Sequence, residues 1–176
     1  MINIAIVEDE EEYSNQIKKY LERYEKEHGE KFYVTVFQDG DEIAIGYSAK
    51  YHIILMDIHM QFMDGMKAAE QIREVDAEVI IIFITNMTQY AIRGYKVNAF
   101  DYVLKPIEYF PFSSSLERAI GRIKNRVQRY ITIPIKGGTV KLDVSDIYYI
   151  ESQRNKLVYF TKSGEYITTA TLKDTE

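Results

Sequence analysis

The amino-acid sequence predicts an α/β protein, with a doubly wound five-stranded parallel sheet followed by a small antiparallel β module. Up to about residue 128, apolar runs typical of strands alternate five times with segments of helical periodicity. That alternation is typical of parallel strands joined by crossover helices. After Arg129, apolar and polar residues alternate between glycine-containing turns, which indicates antiparallel hairpins.

Each predicted strand of the first part is a short apolar run, as expected for strands that helices cover on both faces. Three of these runs end on a polar side chain, at Glu8, Asp57 and Thr85. The five predicted strands are residues 2–7, 32–36, 53–57, 79–85 and 100–104.

The segments between these strands have the spacing of helices with one apolar face. In the first helix, Glu and Lys fill the opposite face, and the apolar face consists of Tyr13, Ile17, Tyr20, Leu21 and Tyr24. A last helix begins near Pro111, a residue that suits a first helical turn. The other predicted helices lie around residues 43–47, 66–72 and 88–96.

The β module begins with alternating apolar residues at 131, 133 and 135, followed by a Gly137-Gly138 turn. Four further strands are predicted, and Ser163-Gly164 forms another turn between the last two. The alternation covers residues 140–144, 147–150, 157–160 and 166–169. We therefore predict two domains, residues 1–128 and 129–176.

The composition excludes several classes of protein. With 46% apolar and 28% charged residues the chain is typical of soluble proteins, and no apolar run approaches the roughly 20 residues that span a bilayer. The N-terminus has no signal segment, so we expect a cytoplasmic protein. The absence of cysteine excludes disulfides, thiolate metal sites and thiol catalysis.

Charge is distributed unevenly along the chain. Residues 1–108 contain 11 basic and 20 acidic residues, whereas residues 109–176 contain 11 basic and 7 acidic ones. A basic C-terminal part indicates contact with nucleic acid or another polyanion. The alternative is that the cations of the last helix only form its solvated face; they are Arg118, Arg122, Lys124 and Arg126.

Polar side chains follow or end four of the predicted strands. Because the carboxyl ends of parallel strands meet at one edge of a sheet, these side chains are expected to lie close together. They comprise three acids, one hydroxyl and one cation: Glu8, Asp9, Asp57, Thr85 and Lys105.

Three carboxylates within a few ångströms of one another repel strongly unless a divalent cation neutralises them. All candidate ligands are oxygen atoms, and this set favours Mg²⁺. A carboxylate on Mg²⁺ beside a lysine can attack phosphorus, with Asp57 as the nucleophile and Lys105 and the metal neutralising the phosphoryl oxygens.

The chain resembles the receiver domain of bacterial two-component response regulators over residues 1 to about 128, a flavodoxin-like fold. The resemblance rests on motifs in the family's order and spacing: Val7-Glu8-Asp9-Glu10, Leu55-Met56-Asp57-Ile58, Met63-Asp64-Gly65, Ile84-Thr85 and Asp101-Tyr102-Val103-Leu104-Lys105-Pro106. Gln61 departs from the pattern, because the family usually has proline there, and so does Asn86, which replaces a small residue.

The resemblance implies that Asp57 accepts phosphate from a sensor histidine kinase. It further implies that Asp9, Asp57 and the backbone carbonyl of His59 bind Mg²⁺, with Glu8 acting through water. Thr85 would bond the phosphoryl group, Tyr102 would move inward with it, and the Lys105–Pro106 bond would be cis. Two alternatives stay open from the residues themselves, since Thr85 can also cap a helix and Tyr102 can be ordinary core packing.

Residues 131–135 and 144–152, with the run Asp146-Ile147-Tyr148-Tyr149-Ile150-Glu151-Ser152, resemble the start of a LytTR DNA-binding domain. By this resemblance the loop containing Arg154, Asn155 and Lys156 approaches duplex DNA; the alternative is a polar turn that faces water. The family pattern continues beyond residue 176, so we expect a longer natural protein and pairing of the β module's exposed edge between chains.

The resulting hypothesis is a response regulator that is a switch and not a metabolic enzyme. Phosphorylation of Asp57 would change self-association through residues 87–129, as a homodimer, and so position the DNA-binding module. The alternative is a receiver whose output is protein interaction without DNA binding. A phosphatase is disfavoured because His59 stands where such enzymes need an acid, and a dinucleotide-binding domain is disfavoured because acids replace glycines after the first strand.

Overall fold

The computed structural model describes residues 1–86, 96–127, 130–135, 137–153 and 156–168, and the side chains of residues 126 and 127 are not described. The chain divides into two compact units, Met1–Ile120 and Gly121–Glu176. None of the helices in the described ranges combines the length and apolar character that a bilayer crossing requires. The predicted helix at residues 88–96 lies almost entirely outside the described residues, and the domain boundary at residue 128 stays a prediction.

The first unit is built on a parallel sheet of five strands in the order β2-β1-β3-β4-β5. The chain starts inside the sheet, adds one neighbour on one side and then three on the other, which makes the sheet doubly wound. The strands are β1 (Ile2–Val7), β2 (Phe32–Phe37), β3 (Ile53–Met56), β4 (Ile80–Thr85) and β5 (Asp101–Leu104). The predicted fold class is confirmed.

Four helices lie within the described residues of the chain: α1 (Glu11–His28), α2 (Gly40–Ala44), α3 (Gly65–Val75) and α4 (Tyr109–Val127). The apolar face predicted for α1 is the face that it buries, since Ile17, Leu21 and Tyr24 are each at most 3% exposed. This helix ends at Gly29, whose φ of 68° places it in the left-handed region that favours glycine. Pro111 lies in the first turn of α4.

The central strands β3 and β4 are buried along their whole length. This explains their unbroken apolar sequences, because helices cover both faces of a doubly wound sheet. Part of each strand joins a core cluster with residues of α2 and α3, which includes Ile54, Met56, Phe83, Met66 and Ile72.

The strand register brings the polar strand ends to one edge of the sheet. Val7 lies opposite Met56, which in turn lies opposite Phe83, and Thr85 lies opposite Leu104. Backbone hydrogen bonds continue this pairing beyond the strands, from Asp57 N to the carbonyl of Val7 at 2.9 Å and from Lys105 N to that of Thr85 at 3.0 Å. The peptide bond between Lys105 and Pro106 is cis, as the resemblance implied.

The second unit contains antiparallel strands in two small sheets, one of two strands (β6-β7) and one of three (β10-β9-β8). Its strands are β6 (Tyr130–Ile135), β7 (Gly138–Asp143), β8 (Ile147–Gln153), β9 (Lys156–Thr161) and β10 (Gly164–Thr168). Its core cluster is formed by Ile133, Leu142, Leu157 and Tyr159.

The predicted strand over residues 140–144 ends one residue early. The Asp143 carboxylate accepts a hydrogen bond from Ser145 N at 2.7 Å and caps a 3₁₀ turn, Val144–Asp146. Val144 is consequently 45% exposed and does not continue the buried face of β7. A short aspartate that bonds to the chain two residues later competes with strand pairing, and this local effect is absent from an alternation pattern.

Candidate functional site

Asp57 lies at the centre of the acidic site, directly after β3, and is only 4% exposed. Its Oδ1 accepts hydrogen bonds from the backbone N–H groups of Ile58 at 2.5 Å and His59 at 3.3 Å. Its Oδ2 accepts a hydrogen bond from Lys105 Nζ at 2.7 Å. The carboxylate is therefore fixed by the following loop on one side and by a cation on the other.

Lys105 follows β5 and directs its ammonium group among the acids. Besides Asp57, its Nζ contacts Glu8 Oε1 at 2.9 Å and Glu10 Oε1 at 3.5 Å, and the side chain is 3% exposed. The same nitrogen lies 4.0 Å from the centre of the Tyr13 ring. Burial lowers the pKa of Lys105, but its hydrogen bonds to Asp57 and Glu8 outweigh that effect and raise the pKa above its ordinary value. The ammonium thus stays charged.

Glu8 follows β1 and is 2% exposed. Its Oε1 is held by Lys105 and by the backbone N–H of Glu10 at 3.3 Å, whereas its Oε2 has no hydrogen-bond partner among the described residues. Burial raises the pKa of Glu8 to about 7, with the Asp57 charge adding to the effect and Lys105 opposing it. A buried carboxylate with one unused oxygen favours a further positive or hydrogen-donating group at this position.

Glu8, Asp9 and Asp57 form a cluster that could hold a metal ion. Each contributes one oxygen atom, and the three atoms lie within 4.8 Å of one another. Partial burial and the nearby Asp57 charge raise the pKa of Asp9 above its ordinary value. All three donors are hard oxygen ligands, and the unused Oε2 of Glu8 fits a water molecule on a hydrated cation, so the residues present suit Mg²⁺.

Thr85 and Tyr102 lie on the neighbouring strands β4 and β5. Thr85 ends β4 at the edge where the acids meet and is fully buried. Tyr102 is half-buried, with its ring 5.2 Å from the ring of Phe83, and burial raises the pKa of its phenol. Tyr102 thus packs on the core, and it lies on the strand that leads to Lys105. Its role as a switch stays a prediction.

The side chain of His59 is exposed, and His59 contributes to the site through its backbone, since its N–H donates to Asp57.

Gly65, at the start of α3, is also important for the loop after Asp57. A Cβ atom on this residue would lie 2.0 Å from the backbone oxygen of Asp57, far inside contact distance. The Met63-Asp64-Gly65 motif contained this residue, but its spacing gives no sign of so close an approach.

Two contacts of Lys105 were missed by reasoning from the sequence. Tyr13 was assigned to the apolar face of α1, yet its ring also lies against the ammonium of Lys105. Glu10 was part of a motif with no role attached, and it reaches the same nitrogen. The acidic run before α1 was a signal that the first helical turn borders the site.

The predicted DNA-contacting residues are described only in part. Arg154 and Asn155 lie outside the described residues. Lys156 is exposed at the start of β9, where it is paired with Gln153 of β8. Its role in DNA binding stays a prediction.

Comparison with known families assigns one family to the first part of the chain and a second family to its C-terminal part. Residues 4–111 match the model of the response regulator receiver domain, which is more than half of the chain. The chain belongs to this family. Residues 137–176 match the LytTr DNA-binding domain. Both family resemblances are thereby confirmed, and the chain is a response regulator that combines a receiver with a LytTr DNA-binding domain.

Two curated relatives match this chain over nearly its whole length. The transcriptional regulatory protein YpdB of Escherichia coli K12 is 25% identical over 179 residues, covering 94% of this chain and 72% of YpdB. The sensory transduction protein LytT of Enterococcus faecalis is 25% identical over 189 residues, covering 99% and 75% of the two chains. This response regulator is thus homologous to transcriptional regulatory proteins of two-component systems.

Solved structures support the receiver fold. The response regulatory domain of mrkE from Klebsiella pneumoniae superposes with a TM-score of 0.63 at 24% identity, covering 70% of this chain and 99% of that one. TrrA from Thermotoga maritima, solved in complex with Mg²⁺ and BeF, gives 0.58 at 23% identity and covers 68% and 99%. At these identities the likeness concerns the fold alone.

Proposed function

We propose that Asp57 is the phosphoacceptor of this response regulator and that a sensor histidine kinase is the donor. The observation that carries the proposal is the position of Asp57, whose Oδ2 lies 2.7 Å from Lys105 Nζ while the carboxylate shares a 4.8 Å cluster with two further acids. An activated nucleophile for phosphoryl transfer needs this combination of fixed orientation and nearby positive charge.

In the transfer step, a carboxylate oxygen of Asp57 forms a bond to phosphorus as the bond between phosphorus and the donor nitrogen breaks. The imidazole leaving group keeps the bonding electrons and takes up a proton. Lys105 neutralises charge on the transferred oxygens, and the backbone N–H groups of Ile58 and His59 hold the carboxylate in position. The protein therefore contributes positioning and charge, which is the main requirement of phosphoryl transfer.

Asp9, Asp57 and the His59 carbonyl would bind Mg²⁺ directly, with Glu8 acting through water. When bound, the ion supplies a second positive charge for the phosphoryl oxygens. The unused oxygen of Glu8 supports its indirect role, because a buried acceptor without a partner gains a hydrogen bond from a water molecule on the ion.

The switch proposed for this receiver involves Thr85 and Tyr102. The Thr85 hydroxyl would bond the phosphoryl group, and Tyr102 would move inward in response. The half-buried position of Tyr102 on a strand leading to the site supports this idea. Phosphorylation would thereby change self-association through residues 87–129 to a homodimer, and the regulator would act on DNA in the cytoplasm.

Intact mass measurement tests the phosphoacceptor. The protein is incubated with acetyl phosphate in Mg²⁺ or in EDTA, beside the Asp57→Asn variant and an Asp76→Asn control. Asp76 lies outside the cluster and precedes β4, at the opposite end of the sheet. We expect one added phosphate for the wild type and the control in Mg²⁺, and none for Asp57→Asn or in EDTA. A phosphate that persists in Asp57→Asn would reject the assignment.

We further propose that the second domain binds duplex DNA through Arg154, Asn155 and Lys156. Arg and Asn can read base edges and Lys can contact a phosphate. The match of residues 137–176 to the LytTr DNA-binding domain and the exposure of Lys156 support this assignment.

Fluorescence anisotropy with labelled duplex DNA at several salt concentrations tests the DNA assignment. We expect affinity to fall as salt rises, and Lys156→Gln to reduce the slope of the logarithmic plot by about 1. Lys141→Gln, which removes an exposed cation of the other small sheet, is the matched control. If neither phosphorylated nor unphosphorylated protein binds DNA, the receiver with protein interaction as its output becomes the better hypothesis.

A further inference from the structure

Asp39, outside the acidic cluster, is a buried carboxylate that binds the loop after Asp57. It follows β2, is 5% exposed and caps the short helix α2. Its Oδ2 accepts a hydrogen bond from Phe62 N and its Oδ1 accepts one from Met63 N, both at 2.8 Å. Both oxygens are thus used by the backbone of residues 58–64, the segment that we call the acceptor loop.

The backbone beside Asp39 also packs directly on the acceptor loop. A Cβ atom on Gly40 would lie 2.5 Å from the backbone oxygen of Met63, so the two segments are in close contact. At its other end the loop is closed by a hydrogen bond from Gly65 N to the carbonyl of Ile58 at 2.9 Å. The loop is therefore held at residues 62–63 by Asp39 and at its base by Gly65.

The held segment is also the one that orients the phosphoacceptor. The N–H groups of Ile58 and His59 donate to Asp57 Oδ1, so the position of the loop determines the direction of this carboxylate. The same loop carries the His59 carbonyl that is proposed to bind Mg²⁺.

The charge of Asp39 is stabilised in this position. Burial raises the pKa of its carboxyl group, but hydrogen bonds from the backbone N–H groups of Phe62, Met63, Asp41 and Gly40 outweigh burial and leave the pKa below its ordinary value. Hydrogen bonds to an ionised acceptor are stronger than those between neutral groups. Asp39 thus holds the loop with two charge-assisted bonds.

We propose that Asp39 is a positioning residue for the acidic site, which sets the acceptor loop so that Asp57 and the His59 carbonyl are ready for a divalent cation. It acts through the loop, since its two oxygens are occupied and it does not belong to the cluster of Glu8, Asp9 and Asp57. The inference rests on the proposed function, because it concerns the same metal site.

The test compares Mg²⁺ affinity, measured by titration calorimetry, in the wild type, Asp39→Asn and Asp39→Ala. Residues that support metal ligands typically change metal affinity by 10–100-fold when replaced. We expect Asp39→Asn, which keeps one acceptor oxygen, to weaken Mg²⁺ binding about tenfold, and Asp39→Ala to weaken it more. Phosphorylation of Asp57 at a fixed, subsaturating Mg²⁺ concentration should slow in the same order.

Asp76→Asn is the matched control. Asp76 also holds backbone with its carboxylate, accepting from Glu78 N and Val79 N, both at 2.9 Å, but it precedes β4 at the opposite end of the sheet. We expect this variant to lose stability without a change in Mg²⁺ affinity. Equal loss of affinity in the two variants, or unchanged affinity in Asp39→Asn, would overturn the inference and leave Asp39 with a structural role.

A second variant keeps the test decisive if Asp39→Asn does not fold. Phe62→Pro removes one of the two donated N–H groups and leaves Asp39 intact, at a residue that is 77% exposed. It should weaken Mg²⁺ binding as Asp39→Asn does, and unchanged binding would count against the inference. A wild type that binds Mg²⁺ but takes no phosphate would contradict the proposed function alone, because the affinities still measure the role of Asp39.

Discussion

Lys105 Nζ lies 2.7 Å from Asp57 Oδ2, and both side chains are at most 4% exposed. The same ammonium also contacts the buried Glu8, so one cation balances two acids in the interior. We expect Lys105→Met to lower the free energy of unfolding of the metal-free protein by about 3 kcal/mol, because it leaves buried charges without a partner. Urea unfolding in EDTA measures this change, and added Mg²⁺ should recover part of it.

Lys162→Met provides the comparison for this prediction. Lys162 lies 2.9 Å from Asp146, but its side chain is 57% exposed, so water screens the pair. We expect no measurable change in this variant. If Lys105→Met and Lys162→Met lowered the free energy of unfolding equally, the buried ion pairs of Lys105 would contribute no more to stability than an exposed pair.

Stability of the metal-free protein should depend on pH through Glu8. Burial raises the pKa of Glu8 from 4.5 to about 7, so between these values the folded state holds a proton that the unfolded state has released. Rising pH therefore favours unfolding in this window, by at most about 3 kcal/mol for a shift of this size.

Urea unfolding at pH 5 and pH 8 in EDTA, with Glu8→Gln as the comparison, measures this dependence. The two proteins differ only at residue 8, so the informative quantity is the difference between their pH slopes. The wild type should lose more stability than Glu8→Gln as the pH rises, and Mg²⁺ should reduce the loss by stabilising the ionised carboxylate. Identical slopes would contradict the raised pKa.

The sequence predicted the main residues of the site because a parallel sheet converts chain positions into neighbours in space. Glu8, Asp57, Thr85 and Lys105 follow or end strands, and the strand register brings them to one edge without any information on side-chain packing. The apolar runs of β3 and β4 predicted burial for the same reason, since period and composition determine which strands lie inside.

The residues that the sequence did not reveal act through contacts that no periodicity encodes. Asp39 binds backbone 23 and 24 residues away, and the ring of Tyr13 lies against the ammonium of Lys105, a residue distant in the sequence. These contacts depend on the conformation of loops and the direction of single side chains. The end of β7 before Val144 is a further example. The alternation of apolar and polar residues predicted a strand that included Val144, but the cap formed by Asp143 ends the strand one residue earlier.

Gly65→Ala should disturb both stability and phosphorylation. The new methyl group would lie 2.0 Å from the Asp57 backbone oxygen, so the acceptor loop must shift. We expect the free energy of unfolding to fall by about 1–3 kcal/mol, as for other forced overpacking. Thermal unfolding and the rate of phosphate addition to Asp57 are the measurements.

Gly121→Ala is the control for this prediction. Gly121 lies in α4, and a methyl group there meets nothing within 4 Å, so this variant should preserve or slightly raise stability.

Tyr13 should stabilise Lys105 through the face of its ring, which lies 4.0 Å from Nζ. We expect Tyr13→Leu to lower the free energy of unfolding by about 1 kcal/mol, the usual size of such a contact, whereas Tyr13→Phe keeps the ring and most of the stability. A double-mutant cycle with Lys105→Met isolates the interaction. In the Lys105→Met background, Tyr13→Leu and Tyr13→Phe should have nearly the same free energy of unfolding. If the two variants differed there as much as they do in the wild-type background, Tyr13 would contribute only apolar packing.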